Sequence, residues 1–120
     1  MATTPKLSPE QASEACDRGT AALGRAFEFL GKRWNGVLLG TLRNGPAGFR
    51  ELSRAVDGIS DSVLSDRLSD LGAAGLITRT VDDGPPLAVS YALTDRGEAL
   101  LPALAQITLW AQEHLVQDET

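Results

Sequence analysis

At 120 residues the chain has room for one domain with a proper core and not for two. Its formal net charge of −5 argues against nucleic acid only when read globally. Between residues 18 and 79 nine Lys/Arg stand against six Asp/Glu, a local excess of three positive charges, whereas after Thr80 seven acids face Arg96 alone. A mildly basic middle of that size predicts salt-sensitive DNA binding. The lone cysteine, Cys16, excludes a disulfide within the chain. The N-terminal stretch is polar and no segment approaches membrane-spanning length, so a cytoplasmic protein without membrane association is expected.

In chain order, residues 1–7 read as a flexible tail and residues 8–120 as the folded domain. Ser8 has the chemistry of an N-cap, with Pro9 at the first helical position and Gln11 reaching back. Ala12, Ala15, Cys16, Gly19, Ala22, Leu23, Ala26, Phe27 and Leu30 then follow a helical period, with Gly19 or Gly24 as a potential break into two helices. Many of these residues are small, so another helix can pack closely there. After a turn at Gly31-Lys32-Arg33, Trp34 opens a helix to about Arg43, with Trp34, Leu38, Thr41 and Leu42 expected inward. Asn44-Gly45-Pro46-Ala47-Gly48 is a loop. A short helix follows over residues 49–56, with Phe49, Leu52 and Val56 inward and Arg50, Ser53 and Arg54 outward.

Asp57-Gly58-Ile59 turns into the stretch on which the reading centres. Ser60 or Asp61 caps a helix in which Leu64, Leu68 and Leu71 recur at i, i+4 and i+7, a single buried stripe. Ser62, Asp66 and Ser69 occupy the opposite face, flanked by Ser65 and Arg67. Gly75 is placed to end the helix in a left-handed conformation. Two short helices joined by a Gly-containing turn make a helix-turn-helix, over residues 49–75. Strands at residues 76–81 and 87–93 around Asp82-Asp83-Gly84-Pro85-Pro86 form a hairpin, the wing, spanning residues 76–93. Thr94 caps the last helix, where Leu100, Leu104, Ile107, Ala111 and Leu115 form a stripe that Leu101 and Trp110 widen. A stripe that broad either crosses the core or forms half of a dimer interface. The fold class is mainly α with a small β-hairpin, a winged helix-turn-helix between N- and C-terminal helices.

Gly31-Lys32-Arg33-Trp34 with Val37-Leu38-Leu39, Phe49-Arg50-Glu51-Leu52, Gly58-Ile59-Ser60, Leu64 with Arg67-Leu68, and Leu71 with Gly75-Leu76-Ile77 stand in a characteristic order. Tyr91-Ala92-Leu93-Thr94 with Gly97, then Trp110 with His114, complete it. In order and spacing this series resembles the HxlR family (also called DUF24) of bacterial winged-helix transcription regulators. The resemblance implies a homodimer joined by helices at residues 8–30 and 94–117. It also implies double-stranded DNA as partner, in the form of a pseudo-palindromic operator, with each recognition helix in a major groove and its wing alongside. The chain departs from the family at Gly48, where a basic residue is common, at the acidic wing tip, and at Asp17, where Pro commonly follows the cysteine.

Within that frame Arg50, Arg54 and Arg79 read as phosphate contacts. Ser60, Ser62, Ser65, Asp66 and Ser69 are candidate DNA contacts, the last four at base edges, with Asp66 suited to a cytosine amino group. Arg67 reaches either a phosphate or Asp70 at i+3. A solvated surface is the alternative for each. Cys16 is the candidate sensor, since family members use an N-terminal cysteine against oxidants and quinones. Reaction there would give an adduct, a mixed disulfide, or a bridge to Cys16 of the partner subunit. With one histidine, His114, no phosphate-cradling loop and no metal spacing, no enzyme, cofactor or metal site is expected. The expected function is a repressor released by an oxidant, an electrophile or a small molecule at the dimer interface. The alternative, which the acidic wing tip leaves open, is a winged-helix module that binds a protein or small ligand without DNA.

Overall fold

The computed structural model of the chain describes residues 8–115. Helix α1 (Pro9–Leu30) leads to α2 (Asn35–Leu42), α3 (Phe49–Ala55) and α4 (Asp61–Ala73). Antiparallel strands β1 (Ile77–Asp82) and β2 (Ala88–Leu93) follow, and α5 (Asp95–His114) closes the order. The tail expected over residues 1–7 and the last residues of the C-terminal helix expected to 117 lie outside the described residues.

Helix α1 starts as its sequence dictates. The Ser8 hydroxyl accepts from Gln11 N at 3.2 Å, and the Gln11 side chain accepts from Ser8 N at 3.0 Å, so two otherwise orphaned donors are satisfied reciprocally. The break expected at Gly19 or Gly24 does not occur: α1 is one continuous helix of 22 residues. A helical glycine costs only about 1 kcal/mol relative to alanine, and neither position adopts the left-handed backbone seen at Gly45, Gly58 and Gly75.

The core lies between α2, α3, α4 and the start of β1. Leu38, Leu39 and Leu42 meet Leu52, Leu64, Leu68, Leu71, Leu76 and Ile77, all buried. The stripe Leu64–Leu68–Leu71 is as its spacing predicts. The inward face of α2 is as expected at Leu38 and Leu42 only: Asn35 and Leu39 are buried as well, whereas Trp34 and Thr41 are half-buried. Trp34 instead sits at the N-cap, with the Arg33 guanidinium 4.6 Å from its ring centroid, and the Thr41 hydroxyl donates to Val37 O at 2.9 Å. The reason is the composition of α2, which is apolar nearly all round, so no period singles out one face. Asn35 has no exposure at all; its Nδ2 donates to Phe29 O at 2.8 Å and ties the end of α1 to α2.

The N-terminus of α5 clamps the end of α4. Gly75, at φ +77°, ends the turn after α4 in the left-handed region. Its carbonyl accepts from Thr94 Oγ1 at 2.6 Å, and the same hydroxyl caps α5 by accepting from Gly97 N at 3.2 Å. Arg96 donates to Ala74 O at 3.1 Å. Gly97 is buried against the backbone of Leu76.

Outside this clamp neither α1 nor α5 has a buried residue. Leu23 and Phe27 on α1, and Ile107, Leu109 and Trp110 on α5, are at least 46% exposed. The radius of gyration is 18.1 Å, against about 13–14 Å for a compact chain of this length. Two helices thus project from a small core with their apolar residues uncovered.

Candidate nucleic-acid interface

Helices α3 and α4 are joined by a turn in which Val56 and Ile59 are buried and Gly58 takes φ +87°. Ser60 caps α4, its hydroxyl accepting from Val63 N at 3.2 Å, so that oxygen is already engaged. One residue on, Asp61 holds the two helices together: Arg50 Nη1 donates to Asp61 Oδ2 at 3.2 Å, and Ser53 Oγ lies 3.5 Å from Oδ1. The Arg50 side chain remains 74% exposed, so it can exchange this carboxylate for another anion. Arg54 is exposed and meets no carboxylate among the described residues.

Along α4 the side away from the core carries Ser62, Ser65, Asp66 and Ser69, all exposed. Thirteen residues make a helix about 20 Å long with short polar side chains, a shape that a major groove accepts. Arg67 does not join this face. Its side chain is only 21% exposed and its Nη2 lies 3.2 Å from Asp70 Oδ2. It stands in the i+3 pair with Asp70, one of the two roles open to it.

Asp70 also accepts from Lys32 Nζ at 2.9 Å, across 38 residues of sequence, and so joins the α1–α2 turn to α4. The hydrogen bond from Lys32, helped by the charges of Lys32 and Arg67, holds its carboxyl below the usual aspartate range. A depressed carboxyl contributes stability above its unfolded pKa and loses that contribution as pH falls through the folded value. Asp70→Asn is therefore expected to flatten the acid limb of the stability profile below about pH 4. Urea melts of both proteins near neutrality and in acid would show it; parallel acid limbs would mean that the pair contributes nothing.

The hairpin pairs Arg79 with Tyr91 and Ile77 with Leu93. Tyr91 also exchanges backbone hydrogen bonds with Ala47, at 2.9 and 2.8 Å, so the loop before α3 acts as a third strand-like edge. Between α4 and the hairpin lies a cleft of ≈310 Å³ lined by Ser65, Ser69, Arg79 and Tyr91. Three of the residues singled out in the sequence thus share one cleft, and Tyr91 and Asp61 join the site unforeseen. At the wing tip Asp82 Oδ1 accepts from Gly84 N at 3.2 Å and no cation pairs with it among the described residues.

On the far side, a second groove of ≈330 Å³ runs between α2 and α5, lined by Leu30, Val37, Leu104 and Ile107 with Arg33 and Arg43. Cys16 is exposed on α1. Arg18, the nearest cation in sequence, sits 4.0 Å from Glu14. Among the described residues no His/Cys/Asp/Glu group is arranged to hold a metal ion, and no helix is long and apolar enough to cross a membrane.

The HxlR-like helix-turn-helix family model matches residues 29–119. The HTH-type transcriptional regulator YvaP of Bacillus subtilis (strain 168) is 39% identical over 101 residues, covering 84% of this chain and 90% of that protein. The HTH-type transcriptional regulator YodB of the same organism is 35% identical over 95 residues, covering 79% and 85%. The reduced form of YodB superposes with a TM-score of 0.69 at 31% identity, over 91% of this chain and 95% of the other. A quinone-bound form of YodB is also similar, with a TM-score of 0.67 over 77% of this chain and 96% of the other. The redox regulator HypR in its reduced form gives a TM-score of 0.73 at 28% identity, over 77% and 91%.

Proposed function

As the chain belongs to the HxlR-like helix-turn-helix family of transcription regulators, we propose that it acts as a homodimeric, sequence-specific DNA-binding repressor. The observation that carries the reading is the outward face of α4. It is rigidly backed by the leucine core, tied to α3 through Asp61 and to the α1–α2 turn through Asp70, and lined by side chains short enough to approach base edges. Arg50, Arg54 and Arg79 supply the phosphate charges that set register, with Ser62, Ser65, Asp66 and Ser69 reading bases. Ser60 and Arg67 position the helix rather than touch DNA. Two copies join through α1 and α5, a reading supported by the extended shape and the uncovered Leu23, Phe27, Ile107 and Trp110. The two recognition helices then address half-sites about 34 Å apart on an imperfect palindrome.

Release follows from reorienting those two helices. Cys16 lies exposed on a dimerising helix, and quinone-bound YodB is a relative of similar structure. The thiolate of Cys16 adds to a quinone ring carbon, the ring C=C electron pair moves to the carbonyl oxygen and takes up a proton from water, and the ring is left as a hydroquinone thioether, a step that needs no second cysteine. The resulting bulk on α1 shifts its packing against the partner. The groove between α2 and α5 is the place for a non-covalent effector.

The test is fluorescence anisotropy of the reduced protein on duplex DNA from upstream of its own gene, against a scrambled duplex at equal salt. Preference for the upstream duplex is expected, abolished by a benzoquinone in the wild type and retained by Cys16→Ser. Preference that survives quinone in the wild type would remove the cysteine trigger. Absence of binding to either duplex at low salt would move the weight to a protein- or ligand-binding winged helix.

A further inference from the structure

The cleft between α4 and the hairpin carries an inference that rests on the DNA-binding reading above. When a helix occupies a major groove and the adjoining wing lies over the neighbouring groove, one sugar–phosphate strand separates them and must pass between the two elements. In this chain that space is the cleft of ≈310 Å³.

Its chemistry matches such a strand. Arg79 and Tyr91 are directly opposed across the hairpin, so both side chains leave the same face of the sheet. Ile77, two residues before Arg79, is on that face as well, and with Leu68 of α4 it gives the cleft a buried apolar base. Among the described residues Arg79 meets no carboxylate. The Tyr91 hydroxyl makes no hydrogen bond among them. Opposite them, α4 contributes the hydroxyls of Ser65 and Ser69 and, at Gly72, no side chain; a Cβ there would meet nothing within 4 Å. An uncommitted cation and three hydroxyls around an apolar base suit a ligand with one anionic and one apolar face. A deoxyribose phosphate has both.

We propose that this cleft seats the DNA strand that divides the two grooves, with Arg79 pairing its phosphate and Tyr91 donating a hydrogen bond to it. The wing then grips DNA at its base, between β1, β2 and α4. Its tip, where Asp82 and Asp83 would repel phosphates, stays clear. Tyr91 becomes a DNA-contacting residue, and the absence of a side chain at Gly72 becomes a requirement for binding.

Three variants test this on the upstream duplex: Arg79→Gln, Tyr91→Phe and Gly72→Leu. Arg79→Gln is expected to lower the slope of log affinity against log salt by about one. Tyr91→Phe and Gly72→Leu should each weaken binding about tenfold at a thermal midpoint no lower than that of the wild type. A duplex series with single neutral methylphosphonates adds a direct readout: one position should weaken the wild type and leave Arg79→Gln unaffected. Wild-type affinity and salt slope in all three variants would overturn the assignment while leaving the regulator intact. If the wild type itself bound no duplex, the DNA-binding reading would be what had failed, and the cleft assignment would fall with it.

Discussion

Gly97→Ala is expected to lower the thermal midpoint by about 10 °C or more, although it adds a single methyl group. Gly97 is buried one turn into α5, and a Cβ there would run into the carbonyl oxygen of Leu76 and come within 3.1 Å of Leu93 Cδ2. A backbone carbonyl cannot rotate aside as a side chain can, so α5 would have to lift from the α4–β1 junction. That movement strains the Thr94–Gly75 and Arg96–Ala74 hydrogen bonds together. The cost should reach about 3 kcal/mol, the upper end for overpacking, which corresponds to about 10 °C in a domain of this size. Gly72→Ala is the matched control. Its Cβ would meet nothing within 4 Å, so gaining helix propensity should stabilise by up to about 1 kcal/mol. A differential scanning measurement of both proteins decides the matter; equal midpoints would show that α5 tolerates displacement at its start.

Asn35→Asp should be at least as damaging at neutral pH, and its damage should depend on pH. The side chain is isosteric, so packing volume is unchanged. Its Nδ2 donor to Phe29 O, however, is replaced by an oxygen facing another oxygen, in a site with no solvent exposure. An ionised carboxylate buried there without a partner should cost about 3 kcal/mol or more. Protonated, the same carboxyl can donate to Phe29 O. Its folded pKa would therefore lie above the unfolded value of about 3.9, and the folded state would hold the extra proton between the two. Stability should be greatest below the unfolded pKa and fall as pH rises towards the folded one. Urea melts across that range should show a descending limb absent from the wild type. A pH-independent loss would mean that the carboxylate escapes to water when charged.

Several features were legible from residue order alone because they depend on neighbours within a few positions. The capping box at Ser8 and Gln11, the leucine stripe of α4 and the left-handed Gly75 are local in this sense. The helix, helix-turn-helix and hairpin order followed from them. The outward set Ser62, Ser65, Asp66 and Ser69 followed too, since a helix whose buried stripe is known has its opposite face assigned by geometry. Where the local pattern was uniform only part of it could be read: Leu38 and Leu42 are buried as expected, but the apolar circumference of α2 concealed that Leu39 turns inward too, and nothing local marked Asn35 as a core residue.

Tertiary structure alone decided which charges are committed. Arg50 had no acidic partner in view and Arg67 had Asp70 as one of two roles, yet Asp61 engages the first at an exposed site and Asp70 holds the second half-buried. The partner of Lys32 lies 38 residues away on α4, a distance at which chain order carries no information. The close approach that requires glycine at 97 likewise appears only when α5 folds back on Leu76. Residue order was enough for the succession of helices and strands, the buried stripe of α4 and the family; which polar groups are already spent inside the fold, and which remain free for a ligand, was settled only by packing. Helix and turn formation is governed by contacts within about four residues, whereas an ion pair or a backbone clash depends on where distant segments come to rest.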